Sequence, residues 1–190
     1  MKTNLVILAS GNGTNAERLI SYFERSETIQ VSAVLSNKKD AYALTRARNF
    51  GVASEAFSRE EFLSERFFAI LKSYNADYII LAGFLWKIPD YLIKAFPNKI
   101  INIHPSLLPK HGGKGMFGAH IHEAVISEGE SVSGITIHLV NEHYDEGRIL
   151  FQASCDISAG DSADSLAEKI HHLEHRHFPE IVADYIRDRS

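Results

Sequence analysis

Asn102 and His104 stand two residues apart in the stretch IINIHPSLLP, where an apolar run meets Pro105. Residues two apart on a strand face the same side. An amide and an imidazole presented together suit a reaction in which an oxyanion develops and a proton moves. The amide N–H stabilises the anion, and histidine is the side chain that titrates near neutral pH. The end of a parallel strand is also where open α/β sheets bind ligands. The plainer alternative for His104 is a hydrogen-bonded core histidine.

Three further stretches carry side chains able to join such chemistry. In NEHYDEG, Asp145 precedes Gly147; Asp-x-Gly is a common turn. If the turn folds back on His104, the carboxylate favours a charged imidazole. GNGTN, with Gly13, Thr14 and Asn15, follows an apolar run and opens a helical pattern. Glycines let a backbone approach an anion, and a helix N-terminus attracts one. The dinucleotide pattern is excluded because its third glycine falls at Ala16. The alternative is a tight turn with Thr14 as the helix cap. In HHLEHRH, His171, Glu174 and His175 match the H-x-x-E-H arrangement of some zinc peptidases. Little chain follows to supply a third ligand, so a solvated histidine-rich face is the preferred reading, with no metal.

These residues need a framework, and the hydrophobic pattern predicts one. Strands are expected over residues 4–10, 30–35, 52–57, 77–84 and 100–104, alternating with helices over 15–25, 41–50, 59–74 and a stretch after Pro89. The rhythm predicts an α/β fold, a mainly parallel twisted sheet with helices on both faces. In the second half, a glycine-rich loop (HGGKGMFG) precedes a helix over 119–127. A strand pair at 132–140 and 149–157 predicts an antiparallel region, and a long helix spans 162–187 with an irregularity at Pro179. No repeat or linker interrupts the chain, so a single domain over residues 1–190 is expected.

Composition narrows the function. The chain has 190 residues, 45% hydrophobic and 23% charged, with a formal net charge of −4. That balance argues against a general nucleic-acid or membrane binder. Cys155 is the single cysteine, which excludes an internal disulfide and fits a reducing cytoplasm. The N-terminal apolar run is too short for a signal peptide and breaks into Gly and Asn. No segment is long enough to span a bilayer.

Taken in order, GNGTN, IINIHPSLLP and NEHYDEG resemble the formyltransferase family that uses 10-formyltetrahydrofolate, over residues 5–186. The resemblance implies that Asn102, His104 and Asp145 are the catalytic trio. It implies that Gly13, Thr14 and Asn15 contact the phosphate and ribose of a glycinamide ribonucleotide, whose amine is held by Glu174. Folate contacts fall by the same resemblance on Arg59, on Leu85, Trp86, Lys87 and Ile88, on Asn102, and on Asn141, Glu142, His143 and Tyr144. The implied reaction moves a formyl group from a folate nitrogen to a primary amine in purine synthesis, with formyl-folate as co-substrate and no metal. Small molecules, rather than nucleic acid or membrane, are the implied partners. Alternatives with the same core are a formyltetrahydrofolate hydrolase and a formyltransferase acting on methionyl-tRNA. The extra domains expected of those relatives find no room in this chain. A catalytically silent folate- or nucleotide-binding module is the alternative from another class.

Overall fold

The structure is a computed structural model that describes residues 2–189. Among these residues the elements run β1 (Thr3–Leu8), α1 (Thr14–Phe23), β2 (Ile29–Ser36), α2 (Tyr42–Asn49), β3 (Ala53–Ala56), α3 (Arg59–Phe62), α4 (Glu65–Ser73), β4 (Tyr78–Leu81), α5 (Asp90–Ala95), β5 (Ile100–His104), α6 (Ala119–Ser127), β6 (Val132–Leu139), β7 (Ile149–Asp156) and α7 (Ala163–Arg187). The strands form a seven-stranded sheet in the order β3-β2-β1-β4-β5-β6-β7. The pairs β1–β2, β1–β4 and β2–β3 are parallel, and β6–β7 is antiparallel. The expected mainly parallel α/β sheet with an antiparallel C-terminal region is therefore present.

The chain divides into two compact units, Met1–Ile101 and Asn102–Ser190. In the first, β4 is buried along its whole length and β1 from Leu5 onward, as strands covered on both sides must be. Leu5, Ile7, Leu19, Phe62, Phe67 and Leu71 are nearly or wholly inaccessible. Each such side chain contributes about 1.5–3 kcal/mol through burial. In the second unit, β6 is buried from Ser133 onward. α7 packs against α6, β6 and β7, burying Leu166, Ile170, Phe178 and Val182.

One helix differs from expectation. The stretch 59–74 is two helices rather than one. Ser58 and Glu61 form a reciprocal capping box that starts α3. The Ser64 hydroxyl then donates to the Glu61 carbonyl (2.9 Å), and Ser64 adopts φ −127°, ψ 168° as the N-cap of α4. Apolar spacing continues across the break because Phe62, Phe67 and Leu71 are all buried. The long C-terminal helix is present as expected: α7 runs from Ala163 to Arg187 with Pro179 inside it.

Candidate active site

Asn102 and His104 lie on β5, and Asp145 lies on the loop between β6 and β7. One carboxylate oxygen links them. Asp145 Oδ1 is 3.7 Å from His104 Nδ1 and 3.6 Å from His138 Nε2. His138 Nε2 is in turn 3.0 Å from Asn102 Nδ2. Asp145 adopts φ 56°, a left-handed backbone that Asp tolerates better than most residues. Its second oxygen, Oδ2, accepts from the Gly113 N–H at 2.9 Å.

Hydrogen bonds to carbonyls fix both rings, because a carbonyl can only accept. His138 Nδ1 donates to Leu139 O (2.9 Å), so Nε2 receives the Asn102 amide hydrogen. His104 Nε2 donates to His111 O (2.8 Å), leaving Nδ1 turned toward Asp145. Burial lowers the His104 pKa from its ordinary 6.5, although Asp145 and the His111 carbonyl pull the other way. His104 is thus uncharged at neutral pH, and proton uptake would occur at Nδ1. Burial would raise the Asp145 pKa, but the His138 and His104 rings, whenever they carry the extra proton, and the donating Gly113 N–H outweigh that and hold it below the ordinary value. Asp145 stays ionised.

Neighbouring residues hold this geometry. The buried Thr136 hydroxyl donates to Ser106 O (2.7 Å) and accepts from Leu108 N (3.0 Å) and Gln152 Nε2 (2.8 Å). It anchors the segment leaving β5. Gly147 passes so close to Leu139 that a Cβ there would lie 1.6 Å from the carbonyl oxygen orienting His138.

His138 escaped the sequence reading. It carries the same signal as Asn102 and His104: Thr136 and His138 are polar residues two apart in a strand of buried apolar neighbours. Hydrophobic alternation, read alone, hides such a pair.

The first unit carries the candidate anion loop. Ser10 N donates to Gly83 O (3.0 Å), and Leu85 N donates to Ser10 Oγ (3.0 Å). GNGTN therefore lies beside the chain leaving β4. Thr14 is not the cap. Gly13 is the N-cap of α1, at φ 77°, and no side chain caps the helix. A glycine is needed there for the left-handed backbone and because a Cβ would come 2.4 Å from that of Ala43. Arg46 braces the loop, donating to Asn12 O (2.8 Å) and Oδ1 (3.1 Å), and pairs with Glu17. Thr14 and Asn15 occupy the first turn of α1.

Arg59 lies over the Trp86 ring, 5.2 Å from its centroid. Trp86 packs with Phe57, Phe62 and Phe84. Leu85 and Lys87 are exposed beside it, whereas Ile88 is buried. In the second unit, Asn141 ties its loop through Asn141 Oδ1, which accepts from His143 N (3.0 Å), and Nδ2, which donates to Glu146 O (3.2 Å). Glu142, His143 and Tyr144 are exposed on that loop. Glu174 is 5% exposed on α7. The rings of His171 and His175 lie parallel, 6.2 Å apart, on the same helix.

The family model described as formyl transferase matches residues 3–182. The chloroplastic phosphoribosylglycinamide formyltransferase of Arabidopsis thaliana is 36% identical over 99% of this chain and 67% of its own length. The trifunctional purine biosynthetic protein adenosine-3 of Gallus gallus is 33% identical over 94% of this chain and 18% of its length. Among solved structures, glycinamide ribonucleotide transformylase 1 from Symbiobacterium toebii superposes with a TM-score of 0.87 at 32% identity, over 95% of this chain and 86% of that one.

Proposed function

The chain belongs to the formyl transferase family, and from that premise we propose that it transfers a formyl group from 10-formyltetrahydrofolate to the amine of 5'-phosphoribosylglycinamide in purine biosynthesis. The observation that carries the reading is the convergence on the Asp145 carboxylate of His104, directly, and of Asn102, through His138. Relatives bearing that activity in their names support the choice of substrate.

The reaction asks four things of a site: a neutral amine nucleophile, a stabilised tetrahedral oxyanion, a proton route, and a protonated folate nitrogen as leaving group. We assign the second hydrogen of the Asn102 amide to the oxyanion, since the first is engaged by His138. The uncharged His104 accepts a proton at Nδ1 as the amine loses one. The ionised Asp145 then stabilises the imidazolium. At 3.7 Å the pair is beyond direct hydrogen-bond distance, and a bridging water suits the gap. The His104 proton is returned to the departing folate nitrogen. His138 acts through Asn102 as a positioning residue.

Gly13, Thr14 and Asn15 are the proposed phosphate and ribose contacts, at the uncapped start of α1. Glu174 is assigned to the incoming amine, because a carboxylate accepts its hydrogens and can aim its lone pair. Arg59, Leu85, Trp86, Lys87, Ile88, Asn102, Asn141, Glu142, His143 and Tyr144 are the proposed folate contacts. The family match runs through both compact units, which supports reading the chain as one functional domain. No helix among the described residues is long and apolar enough to cross a membrane. The single cysteine fits a reducing cytoplasm, which is the proposed location.

The deciding assay mixes purified protein with 10-formyltetrahydrofolate and follows folate absorbance with and without the ribonucleotide. Ribonucleotide-dependent turnover is expected. Turnover that needs no ribonucleotide would identify a hydrolase, and no turnover with either would leave a binding module. Glu174→Ala is expected to impair use of the ribonucleotide more than folate binding. Equal loss of both, measured by titrating each substrate separately, would remove Glu174 from its assigned role.

A further inference from the structure

We propose that His111, Glu128 and Glu130 form a binding site for a divalent transition-metal ion of the zinc class, separate from the formyl-transfer chemistry. His111 Nε2 lies 3.8 Å from Glu128 Oε2 and 3.8 Å from Glu130 Oε1. All three donor atoms lie within 4.8 Å of one another. In a tetrahedral site, metal–nitrogen and metal–oxygen bonds of about 2.0–2.2 Å put two ligand atoms about 3.4 Å apart. The separations therefore need only a small closing movement.

The histidine separates this group from an ordinary acidic cluster. Its side chain is 8% exposed, and its buried Nε2 has no hydrogen-bond partner. A buried ring nitrogen left without a partner costs stability, yet this one points between two carboxylate oxygens. One imidazole and two carboxylates make a ligand set that zinc accepts, and the open positions can be filled by water.

The local chain is arranged to present the set. His111 adopts φ 54°, a region in which histidine is enriched among non-glycine residues. Glu128 is the C-cap of α6. Gly129, at φ 69°, turns the chain between the two glutamates. One group competes for the site: Lys110 Nζ donates to Glu130 Oε1 at 2.7 Å. Lys110 is 68% exposed, so it can move into solvent when an ion takes that oxygen.

Binding would tie the start of the glycine-rich loop to the α6–β6 turn. It would also fix the residue whose carbonyl accepts from His104 Nε2. We therefore assign the ion a structural role, and no step of formyl transfer is routed through it.

The test uses the full chain and zinc chloride alone, with bound metal counted after equilibrium dialysis. One equivalent per chain is expected, accompanied by a rise in Tm. Loss of a direct ligand should weaken binding by more than the roughly 10–100-fold typical of an outer-shell partner. His111→Asn is the chosen variant because asparagine tolerates the left-handed backbone; Glu128→Gln with Glu130→Gln is the second. Each should lose both the stoichiometric metal and the zinc-dependent Tm rise. His171→Asn should retain both, since it alters the other histidine cluster. Circular dichroism of the metal-free variants checks that they are folded. If one variant set does not fold, the other supplies the measurement, and cobalt substitution in the wild type reads the ligand set directly from its visible absorption. Absence of stoichiometric zinc in the wild type would overturn the site. So would binding that survives His111→Asn, or binding lost with His171→Asn.

Discussion

At the scale of single residues, the site depends on where hydrogens sit. Leu139 O holds the hydrogen of His138 on Nδ1, and His111 O holds that of His104 on Nε2. Each ring thereby turns its other nitrogen toward the shared Asp145 carboxylate. His104→Ala and Asp145→Asn should each lower kcat by at least about 10²-fold with smaller effects on folate binding, because both act on protons that move during reaction. Asn102→Ala should cost about 10²–10³-fold, as loss of an oxyanion donor does. Steady-state kinetics paired with folate titration separates these effects; near-normal kcat with weakened folate affinity would contradict the roles. Gly147→Ala tests the orientation of His138. The added methyl collides with backbone, which has little room to yield. Overpacking of this kind costs about 1–3 kcal/mol. Denaturant unfolding should show the loss, with kcat falling alongside it; wild-type values in both would mean that the turn relaxes freely.

At the scale of elements, β6 does more than supply His138. Thr136, on the same strand, serves three partners through one hydroxyl. Thr136→Val keeps the shape and removes that hydroxyl, leaving the Leu108 N–H and the Ser106 carbonyl short of partners in a buried place. Each unsatisfied group costs about 1–3 kcal/mol, so a loss of at least about 2 kcal/mol is expected from urea unfolding. Thr136→Ser should recover most of it. A valine variant as stable as the wild type would mean that water replaces the hydroxyl. The split between α3 and α4 lies at the same scale. A serine that can take either a helical interior position or an N-cap leaves no mark in apolar spacing, and Ser64 takes the cap.

For the molecule as a whole, the buried histidines set how stability responds to acid. Burial lowers the pKa of His104, and burial with the charge of His171 lowers that of His122. A histidine held below its unfolded value near 6.5 binds fewer protons folded than unfolded. Stability therefore falls as pH drops through about 6.5 toward the folded pKa. Asp145 is also held low. Its contribution is present above the unfolded value near 3.8 and is lost as pH falls below it. Both effects run in the same direction, giving two stages of acid destabilisation. Urea unfolding between pH 5 and 8 should show the first stage, and His104→Gln should flatten it in part, leaving the share due to His122. An unchanged slope would mean that His104 is not held low.

The sequence by itself determined the sheet, because apolar runs such as 5–9 and 78–82 are too short for a helix and are bounded by turn residues, which suits a buried strand. It also marked Asn102 and His104, because polar residues at the end of a buried run need a reason to be there, whereas Asp145, in a polar turn, was singled out only by the resemblance to a known family. Tertiary structure alone decided the relations between distant residues. His138 is 36 positions from Asn102 and becomes its partner only when the second unit folds. His111 meets Glu128 and Glu130 only once α6 and its following turn are in place. Gly13 is required by the approach of Ala43, thirty residues later. Periodicity records which face of an element is buried, because that depends on neighbours a few residues away. Contacts across the fold depend on chain reversals whose directions are set by packing, so the meeting of one imidazole with another element's carboxylate is settled only in three dimensions.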